Sequence, residues 1–146
     1  MILKDWLDIK YTVEEQYNLT YLNCSVKGIT SLEGIEQLNN LKELYCPDNI
    51  LTSLKGIEKL VNLEVLSCSD NKLISLKGIK QLNKLERLEC SDNKLTSLKG
   101  IEHLDKLKEL HCNNNPHPYS DLDNLVKIKL EVKKEIRQEK IQKLLL

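Results

Sequence analysis

Apolar and polar positions along this chain recur with a step of 22 residues. Leucine holds the step at Leu19, Leu41, Leu63, Leu85 and Leu107, and again at Leu22, Leu44, Leu66, Leu88 and Leu110. Two residues after each second leucine comes a cysteine: Cys24, Cys46, Cys68, Cys90 and Cys112. Asparagine follows at Asn49, Asn71, Asn93 and Asn115. A second half keeps the same step, with Leu32, Leu54, Leu76 and Leu98, then Gly34, Gly56, Gly78 and Gly100, then Ile35, Ile57, Ile79 and Ile101. Leu38, Leu60, Leu82 and Leu104 close each unit. Written once, the unit is L-x-x-L-x-C-x-x-N-x-L-x-x-L-x-G-I-x-x-L-x-x, and such a fixed period is the mark of a repeat architecture.

The two halves predict different elements. In a strand, side chains two apart share a face, so Leu44 and Cys46 point inward together while Glu43 and Tyr45 point out. The asparagine turns the chain off the strand and is placed to pair buried backbone groups. The return half carries apolar residues every three positions, which suits a short 3₁₀ turn. The glycine before each isoleucine marks a positive φ or a close approach. One copy buries about seven apolar side chains, each contributing ~1.5–3 kcal/mol before chain entropy is subtracted. No copy is stable alone; stacking supplies the rest.

The unit resembles that of the leucine-rich-repeat family, whose core is L-x-x-L-x-L-x-x-N-x-L, with cysteine here in the third apolar position. Its length and its L-x-G-I-x-x-L half are most similar to the class that holds the bacterial internalins and a leucine-rich regulatory subunit of protein phosphatase 1. The resemblance covers Leu19 to Pro116. It implies an α/β solenoid: a curved parallel sheet of about five repeats, an outer face of 3₁₀ or irregular turns, and helical caps. It also implies a structural ladder formed by Asn49, Asn71, Asn93 and Asn115. The first copy departs from the pattern, with Lys27-Gly28 where later copies carry asparagine and its neighbour.

Outside the repeats the pattern stops. Residues 1–18 form an expected N-terminal cap, with Trp6, Leu7, Ile9 and Val13 covering the first copy. Residues 19–116 hold the repeats, and 117–146 form a C-terminal cap. There Ser120 or Asp121 is placed to start a helix whose apolar face is Leu122, Leu125, Ile128, Val132 and Ile136. A strand competes, because Val126, Ile128, Leu130 and Val132 alternate strictly. The charged helix formers beyond favour helix.

Charge excludes little but points away from some partners. The chain has 22 basic and 22 acidic side chains among 146 residues, a formal charge of zero. No global excess draws it to nucleic acid or to a membrane, and no apolar run is long enough to span a bilayer. The start, Met1 to Trp6, lacks the form of a signal peptide, so a cytoplasmic protein is expected. Alanine and phenylalanine are absent and the only arginines are Arg87 and Arg137, a bias that fits an AT-rich genome.

Candidate chemistry is sparse. The five cysteines stand at core positions and are expected to be plain buried thiols. A disulfide ladder is disfavoured because in-register side chains point the same way, and a zinc site because no close ligand pair exists. His111, Cys112 and His117 invite a metal, but adjacent strand residues face opposite ways. Asp48, Asp70 and Asp92 stack at one position and suit turns better than a calcium ladder. No catalytic motif, cofactor or metal is expected, so the chain reads as a non-enzyme.

Binding is the remaining class. Outward strand positions vary between copies while core positions do not: Tyr21, Glu43, Val65, Arg87 and Glu109 in one row, Asn23, Tyr45, Ser67, Glu89 and His111 in the other. From these rows Tyr21, Glu43, Tyr45, Val65, Arg87, Glu89, Glu109 and His111 form the candidate partner site on the concave face. With Glu64 and Glu86 against Lys42 and Lys108, that face is mostly acidic and suits a protein partner with a basic surface. Regulation of a phosphatase rests on the class resemblance alone. A stable scaffold or a self-associating oligomer is the remaining alternative.

Overall fold

The computed structural model describes residues 1–119 and 124–145. Two short helices, α1 (Leu3–Lys10) and α2 (Val13–Asn18), precede five strands. These are β1 (Tyr21–Asn23), β2 (Glu43–Tyr45), β3 (Val65–Ser67), β4 (Arg87–Glu89) and β5 (Glu109–His111). Between them lie four 3₁₀ turns, Ile35–Gln37, Ile57–Lys59, Ile79–Gln81 and Ile101–His103. A long helix, α3 (Leu125–Leu144), follows. The strands form one parallel sheet in sequence order. Its register pairs each residue with the one 22 further on, as in Leu22 with Leu44 and Leu44 with Leu66.

That register stacks the core in rows. The inward leucines and isoleucines of every copy belong to one apolar cluster that runs the length of the sheet. The glycine before each isoleucine is required twice over. Gly56 has φ +99°, where side chains strain, and a Cβ there would come within 2.9 Å of Ile35 in the preceding copy. The amide of that glycine is covered by a glutamate two residues on: Gly34 by Glu36 at 3.0 Å, Gly56 by Glu58 at 3.0 Å and Gly100 by Glu102 at 2.6 Å.

The N-terminal cap is narrower than its apolar content suggests. Leu3 and Leu7, one turn apart, are buried, Trp6 packs beside them, and Leu3 N–H donates to Ser31 O at 2.9 Å. Ile9 and Val13, expected to cover the first copy, are 83% and 82% exposed. One eight-residue helix has a single buried stripe, and Ile9 falls off it. Val13 follows Thr12, which with Glu15 closes a capping box and sets the start of α2.

At the other end the helical reading holds over the strand: Ile128 and Val132 are buried, Leu125 and Ile136 half-buried, and Val126 and Leu130 exposed. Asn124 caps α3, its side chain accepting from the amides of Val126 at 2.9 Å and Lys127 at 3.2 Å. Ser120, Asp121 and Leu122, where the start was expected, lie outside the described residues.

Candidate protein-binding face

The site positions sit on a frame held by the asparagines. Asn71 shows the pattern: its Nδ2 donates to Cys46 O at 3.0 Å, Cys68 O at 3.2 Å and Ser69 O at 3.0 Å, and its Oδ1 accepts from Leu51 N–H at 2.9 Å. Asn49, Asn93 and Asn115 repeat these bonds one copy earlier or later. Each asparagine therefore joins its own turn to the preceding one and satisfies carbonyls that the turn exposes. Just before it, Asp48, Asp70 and Asp92 have φ of 53°, 52° and 54°, a conformation that short polar side chains tolerate. They are turn residues in this geometry.

The five cysteines line the inside of the sheet, buried and free. Burial pushes the Cys24 thiol up to about 12 and holds those of Cys46, Cys68 and Cys90 higher than that of an exposed thiol. A thiol kept neutral is a poor nucleophile and metal ligand. His111 is exposed on the open face, whereas His117 is 3% exposed. The His117 ring is already engaged: Nε2 lies 2.9 Å from Cys112 O, and Nδ1 accepts from Tyr119 N–H at 3.2 Å. Its role is to finish the ladder where no further copy supplies an asparagine.

The open face of the sheet carries the eight candidate residues in two rows. Register sets Tyr21, Glu43, Val65, Arg87 and Glu109 side by side, and likewise Asn23, Tyr45, Ser67, Glu89 and His111. Tyr21 and Tyr45 pack with ring centroids 5.5 Å apart, and Tyr45 Oη donates to Glu43 at 3.1 Å. At the other end Arg87 Nε donates to Glu89 at 2.9 Å while its Nη1 lies 3.3 Å from Glu109. Burial alone would raise the Glu89 carboxyl, but Ser67 and Arg87 outweigh it and hold it below its ordinary value.

Charge on this face is largely consumed within it. In the row just before the strands, Lys42 pairs with Glu64 at 3.6 Å and Lys108 with Glu86 at 2.7 Å. Sequence reasoning took Lys42 and Lys108 as only a partial offset to these carboxylates. The pairing joins residues 22 apart on neighbouring strands and becomes visible once the copies are stacked. The face is thus an aromatic end and a zwitterionic end.

The chain is a solenoid of strand-and-turn units held by an asparagine ladder, and comparison with known proteins gives that class its name. The description "Leucine Rich repeats (2 copies)" matches residues 39–81 and 83–127. This is more than half of the sequence, and the chain belongs to the leucine-rich-repeat family. Leucine-rich-repeat domains generally mediate contacts between proteins. The structure is similar to the functional domain of InlJ from Listeria monocytogenes, described as including a cysteine ladder. Identity there is 38% and TM-score 0.66, over 70% of this chain and 22% of that one. It is also similar to an internalin, InlF, of the same species (25% identity, TM-score 0.67, 70% and 30% covered). A leucine-rich-repeat protein of Leptospira interrogans matches at 37% identity and TM-score 0.66, over 84% and 32%. The chain therefore spans less than a third of the length of each of these structures. No curated protein matches the sequence. Among the described residues no helix is long and apolar enough to cross a membrane.

Proposed function

We propose that the chain is a non-catalytic binding module that takes a partner protein on the open, concave face of its sheet. One observation carries this reading. Core positions repeat in every copy, yet the ten outward strand positions differ from copy to copy, so this is a surface with an individual character on a uniform frame. The anchors are Tyr21, Tyr45 and Arg87, residue types enriched at binding hot spots. Val65 sits between them, and Glu43, Glu89, Glu109 and His111 form the polar surround. Five carboxylates against three cations leave a modest acidic excess, which favours a partner with a basic contact surface. The whole of 1–146 acts as one unit, capped at 1–18 and 117–146. Five unpaired thiols suit a reducing compartment, the cytoplasm.

The test is a comparison of partners retained by the wild-type protein and by the variant Tyr45→Ala/Arg87→Ala. Both side chains lie on the face, so circular dichroism should show an unchanged fold. Loss of two hot-spot side chains should weaken a concave-face partner by about thirtyfold or more. A partner held equally by both proteins would place the binding surface elsewhere.

A further inference from the structure

The outer face carries a repeated pair of its own. Ser53 and Lys55, Ser75 and Lys77, and Ser97 and Lys99 occupy the same two positions of the second, third and fourth copies. The pair in the fourth copy is occupied by the chain itself. Ser97 Oγ donates to both oxygens of Glu135 at 3.2 Å, and Lys99 pairs with Glu135 at 3.2 Å and with Glu139. Glu135 and Glu139 are one turn apart on α3. The molecule therefore displays what a Ser-x-Lys station accepts: two carboxylates four residues apart on a helix.

The other two stations have no acidic partner among the described residues. Ser53, Lys55, Lys77 and Lys80 border an open cleft of about 510 Å³, whose one carboxylate, Glu58, is bonded to the Gly56 amide. Ser53 is in the same local turn as Ser97, each accepting from the lysine amide two residues on, so its hydroxyl proton is free to donate outward. The third copy is the more basic of the two. Lys80 stands where Glu36, Glu58 and Glu102 stand in the other copies. Ser75, Lys77 and Lys80 line a groove of about 470 Å³ together with Lys140 and Lys143 of α3; its two carboxylates are already engaged, Glu102 by the Gly100 amide and Glu139 by Lys99.

We propose that the outer face of the second and third copies docks an acidic helix of a partner protein, carrying carboxylates four residues apart. Ser75 and Lys77, flanked by Lys80, form its main station, and Ser53 and Lys55 the next. The geometry is that of the occupied station: two carboxylates one helical turn apart, a rise of about 6 Å, meet one Ser-x-Lys pair, as Glu135 and Glu139 meet Ser97 and Lys99. Such a helix repeats on the free stations what α3 does on the occupied one. The surface is separate from the concave face, so a partner bound there leaves the sheet open.

The experiment uses the full chain and two labelled peptides, read by fluorescence anisotropy. One is an alanine-based helix with glutamate at every fourth position; its twin has glutamine instead. Wild type should bind the glutamate peptide saturably and ignore the twin. Lys77→Glu/Lys80→Glu, at two exposed positions, should weaken binding by at least about tenfold with an unchanged melting curve. Tyr45→Ala/Arg87→Ala should bind as wild type does, which separates this surface from the concave one. Equal binding by the lysine variant overturns the proposal, as does absence of saturation by about 1 mM. Equally effective competition by a DNA duplex overturns it too, since the groove would then be a general polyanion site.

Discussion

Asn71 and His117 both cover a cysteine carbonyl at the end of a strand, one in the middle of the solenoid and one at its last copy. Asn71 makes four bonds, reaching into its own turn and the one before. His117 makes two, and Asn115 already shares its carbonyl, that of Cys112. In the middle, each turn is completed by the next copy. At the ends, single residues of other types replace a missing neighbour. The same contrast holds at the start, where Val26 adopts φ 56° at the position held later by Asp48, Asp70 and Asp92. Interior stability is therefore collective, and end stability depends on individual substitutes.

The largest test of that contrast is the loss of a thiol proton. The buried thiols titrate above their ordinary value of 9.0, Cys24 at about 12 and Cys46 and Cys68 well above 9.0. A group raised on folding stabilises fully below its unfolded value, and that contribution is lost as pH rises towards the folded one. Stability should thus be flat to about pH 8. From pH 9 to 12 it should fall by about 1.4 kcal/mol per pH unit for each thiol that stays protonated. Denaturant titration at several pH values measures the slope. Cys68→Val should flatten it by one thiol's share and Cys112→Val by less; equal effects would remove the distinction between middle and end.

Next is the asparagine itself. Asn71→Ala removes four bonds, leaving the Leu51 amide without its acceptor and the carbonyls of Cys46, Cys68 and Ser69 each with one donor fewer, and should cost about 3–5 kcal/mol in chemical unfolding. His117→Ala should cost only about 1–2 kcal/mol, because it removes two bonds rather than four and water can enter at the end. Comparable losses would mean that the ladder is not stiffened by its interior. The smallest effect is at Val26. A branched side chain at positive φ is strained, so Val26→Asn should stabilise by about 1 kcal/mol and raise the melting temperature. An unchanged melting temperature would show that the first turn carries no such strain.

Periodicity made most of the fold legible. A step held by leucine, cysteine and asparagine together locates each strand, its inward side and the turn that follows, and positive φ at Gly34, Gly56, Gly78 and Gly100 follows from the same step. The caps were harder because they have no period. The apolar letters Ile9 and Val13 looked like core, but a helix of eight residues offers one stripe only. In the candidate face, the membership of the two rows could be read from the sequence. Its internal ion pairs could not, since Lys42 and Glu64 meet only when copies are laid side by side. The contact of Lys99 with Glu135 and Glu139 joins a turn to a helix 36 to 40 residues away and leaves no local signature. A metal reading of His111, Cys112 and His117 was already disfavoured by strand geometry, but only burial and two hydrogen bonds showed that the His117 ring finishes the backbone.

The constant offset of the ladder bonds sets a rule for changing the length of this molecule. Asn71, Asn93 and Asn115 each reach back by the same number of residues to a cysteine carbonyl. Excising Leu63 through Lys84 would join Asn62 to Leu85 and let Asn93 find Cys46 as it now finds Cys68. Excising one residue more or fewer would turn leucines outward along a whole strand. Growth and shrinkage by recombination are therefore quantised, and the tandem similarity of the central copies is what a gene lengthened in whole units would look like.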